Sequence, residues 1–215
     1  MSIYTPRHFA SADDAAIARV LDEFGFATLV TTLPDAETTL SHVPVLYEPG
    51  AGPKGMLVGH VAAANPHASA MTRGKTFAVF NGPHGYVSPN WYEKPAASVP
   101  TWNYVAVHVH GTIERIDDPA GKRDIVDRLS RRHEAGFERP WTSAKMDPGL
   151  LEKMLGAIVG FRMMVDRIDA KFKLTQNRSA VDRDGVIAGL DARGSAGERE
   201  LADWMRAYAS TPKAG

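Results

Sequence analysis

Histidines and lysines are the side chains of this sequence best suited to chemistry, and three placements stand out. His108 and His110 lie two apart in VAVHVHG, so on a strand they share a face and could share a metal. No third ligand follows at a fixed spacing, there is no H-E-x-x-H motif and the chain has no Cys, so no metal site is expected. Two polar residues on a solvated or interface face is the other reading. His60 stands in GHVAAANP, where a strand would end and a short helix begin. Free backbone N–H groups at such a junction suit a phosphate, and Asn65 suits either that role or a plain helix cap. If KFKLTQN is a strand, Lys171, Lys173 and Thr175 fall on one face. Two cations and a hydroxyl make an anion cradle, or else a solvated edge guarded by lysines.

Nucleophilic catalysis finds less support. Ser41-His42 and Ser88 have no evident base and orienter, and no G-x-S-x-G elbow occurs. Glycine fingerprints for phosphate loops are absent. The segment 122–139 is rich in Arg but interleaved with Asp124, Asp127, Glu134 and Glu138, the pattern of a solvated helix face. Between Lys75 and Gly111 the rings of Tyr86, Trp91, Tyr92, Trp102 and Tyr104 alternate with turn residues. Such rings line a wall that is apolar on one side and wet on the other, which serves a planar ligand or a dimer seam.

Strands must carry most of these residues. Phe26–Thr32 is β-branched and aromatic, Thr39–Tyr47 is broken by Pro44 and therefore reads as an edge or bulge there, and Met56–Ala62 follows a Gly/Pro turn. Strand, turn, strand at this spacing means antiparallel pairing. Thr76–Phe80 and Gly85–Ser88 read as two short strands around an NGPH turn. Trp102–Ile116 is a long strand with Val105, Val107 and Val109 on one face, and Ile158–Ile168 is another that KFKLTQN extends or bends. Helices are expected from Ser11 (capped with Asp14) to Phe24, in a short stretch after Asn65-Pro66, from Pro119 to about Ala135, from Pro148, over Arg178–Leu190, and over Ser195–Tyr208. Six or seven antiparallel strands avoid open edges by closing into a barrel, so the class is α+β and barrel-like. Residues 1–190 read as the main domain and 191–215 as a C-terminal amphipathic helix and tail.

Composition excludes several classes. The 25 Lys and Arg balance the 25 Asp and Glu, which argues against nucleic-acid binding by bulk charge. The first residues lack the basic start and apolar run of a signal peptide, and no segment reaches the length of a membrane span. A soluble cytoplasmic protein without membrane partners is the expectation.

The segments YTPRHF, FATLVT, SHVPVLY, GHVAAANP, AVFNGPHGYVSPNWY, VPTWNYVAVHVHG, IVGF, KFKLTQNR and DRDGVIAGL follow one another from Tyr4 to Leu190. On these the chain resembles the PaiB family of FMN-binding negative transcriptional regulators, with Asn81 and His110 as mild departures. The family is similar to the FMN-binding split barrels. The resemblance implies a six-stranded antiparallel Greek-key split barrel with peripheral helices, a homodimer, and FMN at the subunit interface. It implies that His42, Pro44 and Val45 lie near the flavin ring, and that His60 and Asn65 point toward the ribityl chain and phosphate. Lys171, Lys173, Gln176 and Asn177 would contact phosphate or ring edge, and Trp102, Asn103 and Tyr104 would cover the ring. DNA binding is implied by the resemblance alone. The alternative is an FMN-dependent oxidoreductase or flavin reductase acting on a small substrate.

Overall fold

Alternation of apolar and polar residues writes six strands into the chain: β1 (Phe26–Thr32), β2 (Thr38–Glu48), β3 (Met56–Ala62), β4 (Lys75–Val87), β5 (Thr101–Ile116) and β6 (Ile158–Lys173). The computed structural model describes residues 3–11 and 13–209. Neighbouring strands are hydrogen-bonded in the order β1-β2-β3-β6-β5-β4, and the order closes into a ring, which leaves no open sheet edge. The paired registers given by β1 with β2 and β4, and by β3 with β2 and β6, are antiparallel. Helices α1 (Asp14–Glu23), α2 (His67–Ala70), α3 (Pro119–Glu134), α4 (Pro148–Gly156), α5 (Ala180–Arg193) and α6 (Ala196–Ala209) complete the described chain.

The chain divides into two compact units. One holds the residues up to Val20, Asn81–Val107, and those from Asp169 on; the other holds Leu21–Phe80 and His108–Ile168. The second unit is built on inward side chains of the strands, among them Leu29, Val43, Val45, Leu57, Phe80, Val109, Phe161 and Met163, all buried. Outside β3, helix α3 buries Ile125 and Leu129 against Val58 and Ile116. Its N-terminus is capped by Asp118, whose side chain accepts from Gly121 N–H with Pro119 at the first helical position, as such starts favour.

The first unit buries Phe172, Leu174, Val186, Leu190, Leu201, Trp204 and Met205. Phe172 meets Trp204 edge-on at 6.0 Å, and the Arg19 guanidinium lies 4.3 Å over the Trp204 ring. Glu198 and Ser195 exchange bonds at the start of α6, a capping box.

Four local expectations need correction. NGPH makes no turn: β4 runs unbroken through it. Gly82 is small because β5 is close, since a Cβ there would stand 3.0 Å from Val105 Cβ. α1 is capped by Asp13, which accepts from Ala16 N–H, and not by Ser11, whose hydroxyl accepts from Asp13 N–H. α5 starts at Ala180 behind a Ser179 cap; its glycines dilute the helical signal because Trp91 lies on them, and a Cβ on Gly189 would come within 2.3 Å of that ring. Finally, Thr175 is not on a strand face. β6 ends at Lys173, and Thr175 turns the chain at φ 64°, a strained value for a β-branched residue.

Candidate functional site

Strand alternation decides first which predicted residues can reach a ligand. In β2, Val43 and Val45 point into the core while His42 is exposed and Pro44 half-buried on the outer face. Phe26 of β1 stands opposite Pro44, and Thr28 opposite His42. His42 Nδ1 lies 3.0 Å from Thr28 Oγ1, and the Phe26 and His42 rings are 6.2 Å apart. Pro44 is where the β3 ladder stops, Val45–Gly59 being its last pair. The missing N–H of Pro44 therefore costs no ladder bond on that side. One register step further, His60 of β3 falls in line with Pro44.

The outer face of the second unit thus carries aligned rows. Leu40, Val30 and Phe77 form one; His42, Thr28 and Val79 form the next; Phe26, Pro44 and His60 form the third. Phe26 is 71% and Leu40 55% exposed, and His108 and His110 stack on Phe77. A contiguous row of exposed apolar groups across a sheet is the kind of surface at which partners or ligands dock. His60 sharpens this: its Nδ1 is buried with no hydrogen-bond partner among the described residues. Burial also pulls its pKa below the ordinary 6.5, which favours the neutral ring, and one nitrogen is unspent.

Asn65 is placed differently. Its Oδ1 accepts from His67 N–H at 2.9 Å, and its Nδ2 donates to Ser41 Oγ at 2.9 Å. The side chain closes the turn into α2, and both ends of its amide are engaged. The reading that Ser41 has no base is overturned here: His67 Nδ1 lies 2.9 Å from Ser41 Oγ. His67 was missed because α2 is only four residues long and nothing near it in sequence marks a partner. The pair is not an exposed nucleophile, since Ser41 is 7% and His67 0% exposed. His67 Nε2 meets Thr31 Oγ1 at 2.8 Å, Thr31 meets Thr76 Oγ1 at 2.7 Å, and Thr76 donates to Met71 C=O at 3.3 Å.

The first unit holds the other predicted residues. Lys171 and Lys173 share a face of β6, two residues apart. Lys171 Nζ donates to Tyr4 C=O at 2.8 Å and stands 5.2 Å and 5.4 Å from the Tyr4 and Tyr104 ring centres. Lys173 Nζ donates to Thr101 Oγ1 and to Trp102 C=O. An ammonium has three donors, so both lysines keep donors in reserve. Neither has a carboxylate partner among the described residues. Burial first, and Lys171 second, push the Lys173 pKa down.

In β5, Trp102 and Tyr104 share the outer face with those lysines, and His84 stacks on Trp102 at 5.9 Å. Asn103 points inward instead. It is 1% exposed, and its Nδ2 donates to Thr175 Oγ1 at 2.8 Å and toward Met205 Sδ. Gln176 folds back on its own strand end, accepting from Leu174 N–H and donating to Phe172 C=O. Asn177 is exposed at the end of that turn. Among the described residues no group of acids and histidines could hold a metal, and no helix is long and apolar enough to cross a membrane.

Comparison with known proteins agrees with this architecture. A family model described as a putative FMN-binding domain matches residues 3–167. The protease synthase and sporulation protein PAI 2 of Bacillus subtilis (strain 168) is 31% identical over 210 residues, covering 94% of this chain and 96% of that protein. An uncharacterized protein of Emericella nidulans is 31% identical over 201 residues, covering 77% of this chain and 80% of its own. Among solved structures, a conserved hypothetical protein from Mycobacterium tuberculosis aligns with TM-score 0.58 at 15% identity, covering 82% of this chain and 94% of that one. The FAD and heme binding protein from Mycobacterium smegmatis aligns with TM-score 0.56 at 18% identity, covering 84% and 80%. At such identities the structural likeness is one of fold.

Proposed function

Because the chain belongs to the family of putative FMN-binding domains, we propose that it binds FMN as a homodimer and acts in negative control of transcription. The family match over residues 3–167 is the observation that carries the cofactor. When bound, FMN supplies one- and two-electron redox chemistry. The residues present fit parts of that molecule. Phe26, Pro44 and His42 offer a flat apolar face with a polar edge, and His60 brings a buried nitrogen that lacks a partner. A neutral imidazole can donate or accept at that atom, and a flavin ring edge offers both kinds of group. Val45 reaches this face only through its backbone. Separately, the spare ammonium donors of Lys171 and Lys173 fit a phosphate, and their uncompensated charge favours one. Trp102 and Tyr104 offer ring faces beside them. Asn65, Asn103, Gln176 and Asn177 are proposed to act by holding their turns rather than by spending their amides on the ligand.

A second copy of the chain is the proposed cover for the outer rows of β1, β2 and β4, whose exposed Phe26 and Leu40 a monomer would leave in water. Phe26→Asp should leave a folded monomer at concentrations where the native chain is a dimer in sedimentation. A Phe26→Asp chain that remains dimeric moves the interface elsewhere.

The regulatory reading is supported by the resemblance to PaiB, and the 31% identical relative is named a protease synthase and sporulation protein. With balanced charge, any DNA contact must come from local cations, so a DNA mobility shift should weaken steeply with salt. A shift that is absent, or indifferent to salt, overturns it. FMN titration of the purified chain, followed by flavin fluorescence, tests the cofactor directly: one FMN per chain is expected, and no saturation refutes the assignment. Sustained NAD(P)H oxidation by the loaded protein would move the reading to an oxidoreductase.

A further inference from the structure

The second unit has a cavity of about 330 Å³ that none of the residues proposed for FMN lines. Its wall is the outer face of α3, with Arg123, Asp127, Ser130, Arg131 and Ala135, and the following segment from Pro140 to Ala144. Trp141 fixes that segment: its backbone N–H donates to Glu134 Oε2 at 2.8 Å. The indole is 37% exposed, so one side of the ring faces the cavity or water. Ala135, Pro140 and Ala144 add apolar surface. A concave, mainly apolar cavity with a few convergent polar groups is how small-molecule sites are built.

Charge narrows the ligand. Arg123 lies 3.7 Å from Asp127 and is balanced by it. Arg131 has no hydrogen bond or ion pair among the described residues, and its charge instead pushes the Arg128 pKa down, after burial and Arg162. The lining therefore has two guanidiniums against one carboxylate, and one of them is unspent. A guanidinium with free donors matches a carboxylate in two parallel bonds. The cavity is at the small end of the usual range for ligand sites. One net positive charge, an indole wall and limited volume select a small aromatic monocarboxylate. Basic residues in the last turn of a helix also stabilise it through the macrodipole, but that role asks for neither the cavity nor the half-exposed indole.

We infer that this cavity between α3 and the Trp141 segment binds an aryl monocarboxylate, with the Arg131 guanidinium on the carboxylate and Trp141 against the ring. The inference does not depend on the flavin reading. Benzoate is the probe, with benzamide as its uncharged and cyclohexanecarboxylate as its non-aromatic counterpart. Benzoate should quench tryptophan fluorescence of the full chain saturably, and Trp141→Phe should abolish the change. Arg131→Gln should weaken benzoate at least about tenfold, as loss of a charged bidentate partner does. Arg131→Lys, which keeps the charge, should recover part of that loss. Benzamide should not saturate, and cyclohexanecarboxylate should bind more weakly than benzoate. FMN titration and far-ultraviolet dichroism of the Arg131→Gln chain should match the native protein, which separates loss of the site from loss of the fold. No saturation by benzoate, equal binding by benzamide, or undiminished binding in Arg131→Gln overturns the inference.

Discussion

Two polar clusters in this chain are made of similar parts and have opposite logic. Ser41, Asn65, His67, Thr31 and Thr76 form a closed chain of bonds. With the proton of His67 on Nε2, every group has a partner in one direction. Asn65 Nδ2–H donates to Ser41 Oγ, Ser41 O–H to His67 Nδ1, His67 Nε2–H to Thr31, Thr31 O–H to Thr76, and Thr76 O–H to Met71 C=O. Apart from the second Nδ2–H of Asn65, no donor in the chain of bonds is left over for a ligand. Lys171 and Lys173 are also partly buried and hydrogen-bonded, yet they hold donors in reserve and their charge is unanswered. The difference teaches how to tell a polar cluster that holds a fold from one that awaits a ligand: the count of unspent donors decides, not the presence of chemistry-bearing residue types.

The strongest way to break this contrast is at His67. His67→Ala strands the hydroxyls of Ser41 and Thr31 and opens a hole in a fully buried position, so it should cost roughly 3 kcal/mol or more in urea unfolding. FMN affinity of the folded fraction should change little. A stable His67→Ala chain that loses FMN would place the network in the cofactor site and erase the distinction. Next comes the open cluster. Removing a charge-assisted bond to a phosphate costs about 1.5–3 kcal/mol, so Lys173→Ala should weaken FMN by roughly tenfold to a hundredfold. Lys173 is half-buried and unpaired with acid, so unfolding should shift far less than for His67→Ala. Unchanged FMN affinity removes Lys173 from the phosphate set, and a large stability loss instead makes it a structural tether of Thr101 and Trp102.

Much of this was legible because strands announce themselves. The extents of β1, β3, β5 and α3, and the shared face of Lys171 and Lys173, follow from periodicity alone. The misread positions have a common physical cause. Gly82 looks like a turn residue, but it is small for the sake of Val105, which is remote in sequence. Asn103 faces inward, and its amide donates to Thr175, seventy-two residues on, a partner that spacing does not reveal. His67 looked unremarkable because its partners come from β1 and β2. Spacing reveals which face a residue is on; it does not reveal which donors a distant segment has already taken.

Acid supplies a finer test of the closed network. Burial lowers the His67 pKa below the ordinary 6.5. In the unfolded chain the imidazole titrates at its ordinary value, so between the two values the unfolded state binds more protons. Stability then rises with pH through that window, is complete above 6.5, and is lost as pH falls toward the folded value. The bonding pattern explains the direction independently. A second ring proton would make Nδ1 a donor to Ser41, whose own proton would then have no acceptor among the described residues. His60 is lowered by burial too, so the native profile sums both rings. His67→Gln should therefore flatten, not abolish, the loss of stability below pH 6.5, and His60→Gln should remove the remainder. FMN separates the two: if the unspent nitrogen of His60 meets the flavin, saturating FMN should alter the His60 part of the profile and leave the His67 part in place. A profile that FMN alters only through His67 would reverse the assignment of open and closed sites.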